Sequence, residues 1–265
     1  MYATVNGVRL AFSARGRGRG PALLLIHGFP LDRRMWEAQL SGLSRLAHVV
    51  APDLRGHGQS EAPSGPYSMD RHADDLAGLL DRLSIQQAIV TGLSMGGYVA
   101  FAFWRRHAER VLALTLLDTR AEPDTPQAQA GRDAAAARVQ QIGAEAFARE
   151  MLPRLLAPAS LTDPDIADRA LAIMASQTPS GIVAALAGLR DRPDSRPILP
   201  TITAPTLVVV GAEDALTPPA DAAAMAAAIP QARLATIPAA GHLSPLENPA
   251  AVNATLRELI RRIGQ

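Results

Sequence analysis

Three short runs of this chain are apolar along most of their length, without the alternation of a half-exposed strand. They are Ala22–His27, Gln87–Gly92 and Val111–Asp118. Segments with helical periodicity separate them, such as Asp70–Leu83, whose leucines recur at three- and four-residue spacing. Strands that are apolar on both faces must be covered by helices on both sides. The sequence therefore predicts an α/β fold with a mostly parallel sheet flanked by helices.

The alternation of strands and helices is interrupted once. From residue 121 to residue 197 no strand pattern is visible, and prolines bound or interrupt several helical stretches. The predicted helices there are Gln127–Ile142, Ala144–Leu156, Asp163–Ser176 and Ser180–Leu189. The alternation then resumes with the strand Thr206–Gly211. We expect a core formed by residues 1–120 and 198–265, and a helical cap formed by residues 121–197.

The two ends of the chain complete the predicted core. At the start, Asn6-Gly7 is a dipeptide that favours a tight turn between two strands, which predicts a hairpin. The remaining predicted elements are the strands Tyr2–Val5, Val8–Ala14, His48–Pro52 and Ala232–Ile237, and the helices Trp36–Leu46, Ser94–Arg106, Pro218–Ala228 and Asn248–Ile263.

Composition excludes several classes of function. The 265 residues have a formal net charge of +1, which argues against a nucleic-acid-binding protein. The chain has no cysteine, so disulfides, thiolate nucleophiles and cysteine metal sites are excluded. We see no signal peptide and no apolar stretch long enough for a membrane span, and we therefore expect a cytoplasmic protein without a membrane partner. The sequence does not indicate an oligomeric state.

The segment Gly92-Leu93-Ser94-Met95-Gly96 lies where a predicted strand meets a predicted helix. A serine on such a sharp turn has strained backbone angles and needs small neighbours, which Gly92 and Gly96 provide. The turn also aims the first amides of the helix at the place where negative charge would develop. The segment predicts a nucleophile at Ser94, and the alternative is a glycine-rich turn without chemistry.

A serine nucleophile needs a general base, and six histidines are available. His242 follows the last predicted strand, so it lies at the same carboxyl edge of the sheet as Ser94, where ligands of open α/β sheets bind. We expect His27 to shape its loop and His57 to be structural. We expect ordinary surface or helix-end positions for His48, His72 and His107.

The histidine in turn needs a carboxylate that orients it. Asp214 follows the first strand after the helical segment, and the chain order serine, aspartate, histidine is that of serine hydrolases on this fold. Glu213 is adjacent but is expected to point to the other side of the backbone. Asp118, which follows an earlier strand at the same edge, is the competing candidate.

A stabilised oxyanion completes this chemistry. His27-Gly28-Phe29-Pro30 follows a core strand, and the amide of Phe29 can pair with the amide of Met95 to bind an oxyanion. Pro30 restricts Phe29 to extended backbone angles. Such a site requires no cofactor and no metal, and no cluster of metal ligands is visible in the sequence.

These segments together resemble the α/β-hydrolase superfamily across essentially the whole chain. Further matching segments are 53–60, 211–219 and 241–249. Within the superfamily the chain is similar to carboxylesterases, 3-oxoadipate enol-lactonases and cofactor-free perhydrolases. The resemblance implies an eight-stranded core with a helical cap. A serine at position 94 argues against haloalkane dehalogenases and epoxide hydrolases, which use aspartate there.

The resemblance and the candidate residues favour hydrolysis of a small-molecule ester or lactone by a serine esterase. Ser94 would form an acyl-enzyme, and His242 would activate the water that releases the acid. Three alternatives remain open: enol-lactone hydrolysis, perhydrolysis, for which the loop at Pro30 is the hint, and a ligand receptor that keeps the fold without turnover.

The substrate pocket is the least constrained prediction. We expect Phe29, Pro30, Met151 and Leu155 to contact substrate, and Asp118 to lie at the mouth of the site. Other apolar cap residues could line the pocket or pack between helices: Leu152, Leu156, Met174 and Leu186. A negatively charged lactone would favour an arginine, and the candidates are Arg138, Arg149 and Arg154.

Overall fold

A computed structural model describes residues 1–264, and eight strands within them form one sheet. In chain order they are β1 (Tyr2–Val5), β2 (Val8–Arg15), β3 (Ala22–Ile26), β4 (His48–Pro52), β5 (Ala88–Leu93), β6 (Val111–Leu117), β7 (Thr206–Gly211) and β8 (Arg233–Ile237). Their spatial order is β1-β2-β4-β3-β5-β6-β7-β8. The pairs β1–β2 and β2–β4 are antiparallel, and all later pairs are parallel. The predicted mostly parallel sheet is confirmed.

The helices connect these strands. They are α1 (Glu37–Leu43), α2 (Met69–Arg82), α3 (Met95–His107), α4 (Pro126–Met151), α5 (Pro158–Thr162), α6 (Pro164–Ala175), α7 (Pro179–Arg190), α8 (Pro219–Ala228), α9 (Ser244–Glu247) and α10 (Pro249–Ile263). No single helix of residues 1–264 is long and apolar enough to cross a membrane, although α6 and α7, bent by 93°, pass that test together by length and composition.

The sheet separates two hydrophobic cores, as expected for strands that are apolar on both faces. Leu24 and Ile26 of β3 belong to the core that contains residues of α2 and α3. Leu23 and Leu25 of the same strand belong to the core that contains residues of α1 and α10. All four side chains are fully buried, since successive residues of a strand point to opposite faces of the sheet.

Between β6 and β7 the described chain contains helices and irregular segments and no strand. Three of these helices begin with the same local signal, a capping side chain followed by proline at the first helical position: Thr125-Pro126, Asp163-Pro164 and Thr178-Pro179. The capping oxygen accepts a backbone amide, and proline lacks the N–H that would otherwise be unpaired there. We call residues 121–197 the helical insertion.

Several predicted boundaries are corrected. The predicted helix 144–156 ends at Met151, because Pro153 forces the chain into a 3-10 turn at Leu152–Arg154. The predicted helix 36–46 ends at Leu43, where the next residues form a tight turn. Helices α5 and α9 were not predicted, because five and four residues are too short to show a helical period.

Candidate active site

Ser94 lies between β5 and α3 with φ 52° and ψ −112°, a strained conformation for a residue with a side chain. The turn is closely packed around it. A Cβ atom at Gly92 would lie 2.1 Å from the carbonyl oxygen of Gly96, and one at Gly96 would lie 2.3 Å from that of Ile26. Neither contact is possible, so both glycines are required by the close approach of the backbone.

His242 follows β8 and connects Ser94 to Asp214. Its Nε2 atom lies 2.8 Å from the Oγ atom of Ser94, and its Nδ1 atom lies 2.8 Å from the Oδ2 atom of Asp214. The backbone amide of His242 donates to the carbonyl oxygen of Leu155 in the helical insertion at 2.9 Å. The structure thus brings together the three side chains predicted to form a triad.

The carboxylate of Asp214 is held by residues that follow it. Its Oδ1 atom accepts the amides of Leu216 and Thr217 at 2.8 and 2.9 Å, and its Oδ2 atom accepts the hydroxyl of Thr217 at 2.6 Å. Burial raises the pKa of Asp214, but the hydrogen bonds from His242 and Thr217 outweigh it, and the net pKa is lowered. Asp214 therefore remains an anion at neutral pH. Sequence reasoning did not identify Thr217, although an aspartate that caps its own turn is a recognisable local signal.

Asp118 does not contact His242 and does not line the mouth of the site, so the expectation that it contacts substrate is corrected. It lies fully buried behind the triad, where two hydrogen bonds hold its carboxylate. Its Oδ1 atom accepts the amide of Gly211 at 2.7 Å, and its Oδ2 atom accepts the hydroxyl of Ser244 at 2.5 Å. Burial, together with the nearby negative charge of Asp214, raises the pKa of Asp118 well above its usual range.

Two backbone amides near Ser94 are available to a ligand. The amide of Met95 begins α3, where the first N–H groups of a helix have no partner within the helix. Phe29 lies in the loop after β3. Within residues 1–264, neither amide donates a hydrogen bond to another protein group, and both residues line the same cavity as Ser94 and His242.

This cavity has a volume of about 780 Å³ and extends between the core and the helical insertion. Of the predicted pocket residues, Phe29, Met151 and Leu155 line it, and Pro30 does not. A turn closed by the hydrogen bond from the Leu31 amide to the Gly28 carbonyl leaves Pro30 buried. Further residues that line the cavity include Tyr98, Ala128, Gly131, Ala135, Phe147, Leu186, Leu189 and Leu216.

Arginines are unusually frequent in the cavity wall. Two of the three predicted candidates, Arg138 and Arg154, line it. The third, Arg149, is exposed and pairs with Glu145 at 2.9 Å, one helical turn away. Sequence reasoning missed three further lining arginines: Arg120, Arg132 and Arg192. The packing of the insertion on the core determines which face of α4 lines the cavity. The local sequence does not encode that packing.

Three buried histidines lie close to one another. His27 shapes its loop as expected, since its Nε2 atom accepts the amide of Leu54 at 2.9 Å. The ring of His57 lies 5.0 Å from that of His27 and 6.5 Å from that of His72. His72 is fully buried, so it is not a surface residue, although it does lie near the start of α2. The signal was present in the sequence, because position 72 lies on the same helical face as Leu76 and Leu80.

The sheet order, the strained serine turn and the hydrogen-bonded Ser–His–Asp chain define a hydrolase of the α/β type. Residues 21–249 match the model of the alpha/beta hydrolase fold family, and the chain belongs to this family. It is 30% identical over 260 residues to 3-oxoadipate enol-lactonase 2 of Acinetobacter baylyi, an alignment that covers 98% of this chain and 96% of the relative.

Two solved structures are similar over nearly the whole chain. A thermophilic esterase from Thermogutta terrifontis, solved with malate bound, is 43% identical with a TM-score of 0.95, covering 100% of this chain and 97% of that one. The enol-lactonase from Burkholderia xenovorans LB400 is 32% identical with a TM-score of 0.92, covering 98% and 100%. The protein is thus a hydrolase whose relatives include esterases and enol-lactonases.

Proposed function

We propose that this protein is a serine carboxylesterase that hydrolyses small carboxylic esters through an acyl-enzyme. The observation that carries the proposal is the continuous chain from Ser94 through His242 to Asp214, with 2.8 Å at both contacts of the imidazole. Nucleophile and base lie within hydrogen-bond reach, and a buried carboxylate fixes the base, which is the arrangement that activates a serine.

In the acylation step, the Oγ atom of Ser94 attacks the ester carbonyl carbon and its proton passes to Nε2 of His242. The carbonyl oxygen becomes an oxyanion, which the amides of Phe29 and Met95 stabilise by hydrogen bonds. When the tetrahedral intermediate collapses, the bond to the alcohol oxygen breaks, and His242 returns the proton to the departing alcohol. Asp214 stabilises the imidazolium that exists between these two proton transfers.

In the deacylation step, water occupies the place of the alcohol. His242 accepts a proton from this water, which attacks the acyl carbon, and the same two amides hold the second oxyanion. Collapse of this intermediate breaks the bond to Ser94 and returns the proton to its Oγ atom. The carboxylic acid product leaves and the enzyme is restored.

The helical insertion, residues 121–197, acts as a cap in this proposal and bounds the cavity opposite Ser94. The hydrogen bond from the His242 amide to the Leu155 carbonyl, 2.9 Å long, links this cap to the catalytic histidine. Phe29, Met151 and Leu155 provide apolar contacts for the substrate. A cytoplasmic location and a function without metal or cofactor remain predictions from the sequence.

Enol-lactone hydrolysis is the second candidate. A lactone is a cyclic ester, so the same steps apply, with the leaving oxygen retained in the product. This candidate is favoured by the enol-lactonases among the relatives, one of them 30% identical over 98% of this chain and another with a TM-score of 0.92.

The test is hydrolysis of p-nitrophenyl acetate and p-nitrophenyl butyrate by the wild-type protein and by Ser94→Ala. We expect turnover by the wild type and a loss of at least about a thousandfold in Ser94→Ala, because removal of a triad member leaves only the oxyanion hole and binding. Ser64→Ala, at an exposed serine outside the cavity, is the matched control. Equal rates in both serine variants would overturn the proposal.

A lactonase assay separates the two candidates. If the wild type hydrolyses the enol-lactone with a larger kcat/KM than it has for any simple ester, the second candidate is the better description. If circular dichroism shows folded protein and neither substrate class is turned over, both candidates are wrong.

A further inference from the structure

The cavity beside Ser94 carries an excess of positive charge. Five arginines line it: Arg120, Arg132, Arg138, Arg154 and Arg192. The carboxylates that line it are two, Asp124 and Glu150. Within residues 1–264, Arg138 pairs with Glu150, and Arg120 donates to the carbonyl oxygen of Leu216 and lies 3.6 Å from Asp221. Those two guanidiniums are therefore already engaged. Arg132 and Arg192 share a single carboxylate, that of Asp124, and the exposed Arg154 pairs with neither lining carboxylate within residues 1–264.

Asp124 lies between two of these arginines. Its Oδ2 atom accepts a hydrogen bond from Nε of Arg132 at 3.0 Å, and its Oδ1 atom accepts one from Nη1 of Arg192 at 2.6 Å. Burial raises the pKa of Asp124, but its bonds to both arginines outweigh this effect and lower the pKa. Asp124 is therefore an anion, and the three side chains together have a net charge of +1.

Arg192 anchors this group near the nucleophile. Only 7% of Arg192 is exposed, and its guanidinium carbon lies 4.2 Å above the ring of Tyr98. Its Nη1 and Nη2 atoms also donate to the carbonyl oxygens of Leu189 and Glu122, respectively, both at 3.0 Å. Tyr98 lies one turn of α3 after Ser94, about 5–6 Å along the helix axis. Tyr98 thus connects Arg192 to the helix that begins after Ser94, and all of these residues line the same cavity.

Arg132 is the member of this group that a ligand can reach. It bonds to Asp124 through Nε, and its two terminal nitrogens have no hydrogen-bond partner in the described part of the chain. Its side chain is 29% exposed. The neighbouring lining positions on α4, Ala128, Gly131 and Ala135, have small side chains or none, which leaves space beside the guanidinium. A guanidinium fixed at Nε with two free terminal N–H groups matches the geometry of a carboxylate.

We infer that this cavity selects esters whose acyl group carries an ionised carboxylate, and that Arg132 is the specificity-determining residue that binds it. The inference rests on the proposed esterase function and names its substrate class. An acyl group stays attached to Ser94 through both steps, whereas the alcohol leaves after the first. A charged anchor on the acyl group therefore stabilises both transition states.

The test compares methyl butyrate with monomethyl succinate, which differ only in having a methyl group or a carboxylate at the end of the same acyl chain. Hydrolysis is followed by pH-stat. We expect the kcat/KM of the wild type for monomethyl succinate to exceed that for methyl butyrate by about tenfold or more. This ratio corresponds to the free energy of one charge-assisted hydrogen-bond pair. This preference should fall as ionic strength rises, because salt screens a partly exposed charge pair.

Arg132→Gln should reduce the preference ratio towards one, and Arg149→Gln is the matched control. Arg149 is on the same helix but is exposed and outside the cavity lining. A wild type that hydrolyses methyl butyrate as well as monomethyl succinate at low salt would overturn the inference. So would an unchanged ratio in folded Arg132→Gln. The wild-type salt dependence decides the question if Arg132→Gln does not fold.

Binding to Ser94→Ala separates this inference from the esterase proposal. Titration calorimetry would measure the affinity of monomethyl succinate and of methyl butyrate without turnover. Tighter binding of monomethyl succinate, lost in the double variant with Arg132→Gln, supports the anionic site even if the wild type hydrolyses neither ester. Equal affinities refute it regardless of whether the protein is an esterase.

Discussion

At the scale of single residues, Asp118 connects the two loops that carry the acid and the base. It accepts the amide of Gly211, three residues before Asp214, and the hydroxyl of Ser244, two residues after His242. Asp118 also has a positive φ of 45°, which aspartate tolerates better than most residues. Its place behind the triad indicates that it positions the two loops without touching substrate.

Asp118→Ala and Asp118→Asn should therefore differ. Alanine leaves a buried amide and a buried hydroxyl without an acceptor, and we expect it to lower the free energy of unfolding by about 2–4 kcal/mol and to reduce kcat more than it changes KM. Asparagine can accept the Gly211 amide and donate to the Ser244 hydroxyl, so most of the stability and kcat should return. Urea denaturation and steady-state kinetics check this. Equal defects in both variants would show that the negative charge matters rather than the hydrogen bonds.

Single residues also show what the sequence could and could not predict. Ser94, Asp214 and His242 could be located because each follows a strand at the same edge of the sheet and their chain order is characteristic of the fold. Arg132 and Asp124 could not, since nothing in the local sequence indicates that Asp124 lies between Arg132 and the distant Arg192. The burial of His72 was not predicted, although the residue lies on the apolar face of α2.

At the scale of elements, α4 is broken at one residue. Gly143 has φ 78° and ψ 170°, outside the helical region, and the two helical parts on either side correspond to the two helices predicted there. The prediction succeeded because glycine weakens a helical pattern. It gave the wrong end for the second part because the local pattern stayed helical beyond Pro153.

Two alanine substitutions on α4 should have opposite effects. A Cβ atom at Gly143 or at Gly131 would meet no atom within 4 Å, so neither substitution causes a clash. Gly143→Ala must place alanine at a backbone conformation that is essentially restricted to glycine, and we expect a loss of about 1–3 kcal/mol in the free energy of unfolding. Gly131→Ala lies at a helical position and should gain about 0.5–1 kcal/mol. Thermal and urea unfolding measure both. A gain in both variants would mean that Gly143 adopts a helical conformation in solution.

In the molecule as a whole, the core and the helical insertion differ in how much of their structure the sequence pattern determines. The core could be predicted because runs that are apolar on both faces permit few arrangements besides a covered parallel sheet. The helices of the insertion could be predicted, but their packing on the core could not, because alanine-rich helices offer several similar faces. The cavity forms where insertion and core meet, so its arginines follow from tertiary packing alone.

The buried histidines predict how the stability of the whole molecule responds to acid. Burial is the main cause that lowers the pKa values of His27, His57 and His72, that of His57 to about 3. In the unfolded chain a histidine binds a proton below about pH 6.5. Between that pH and the folded pKa, each of these histidines binds more protons in the unfolded state, so its contribution to stability falls as the pH is lowered through this window.

His72→Leu isolates one of these contributions. Neither ring nitrogen of His72 has a hydrogen-bond partner in residues 1–264, so leucine removes no hydrogen bond and fills a fully buried position. We expect little change or a small gain in stability at pH 7.5. As the pH falls below 6.5, the free energy of unfolding of the variant should increase relative to that of the wild type by about 1.4 kcal/mol per pH unit, the linkage slope for one proton. Asp118, whose raised pKa acts in the opposite direction, contributes equally to both proteins and cancels in the difference.

Urea denaturation of both proteins from pH 7.5 to pH 4.5 measures this slope. A pH-independent difference would mean that His72 accepts a proton in the folded state, and that water or a neighbouring group reaches its ring.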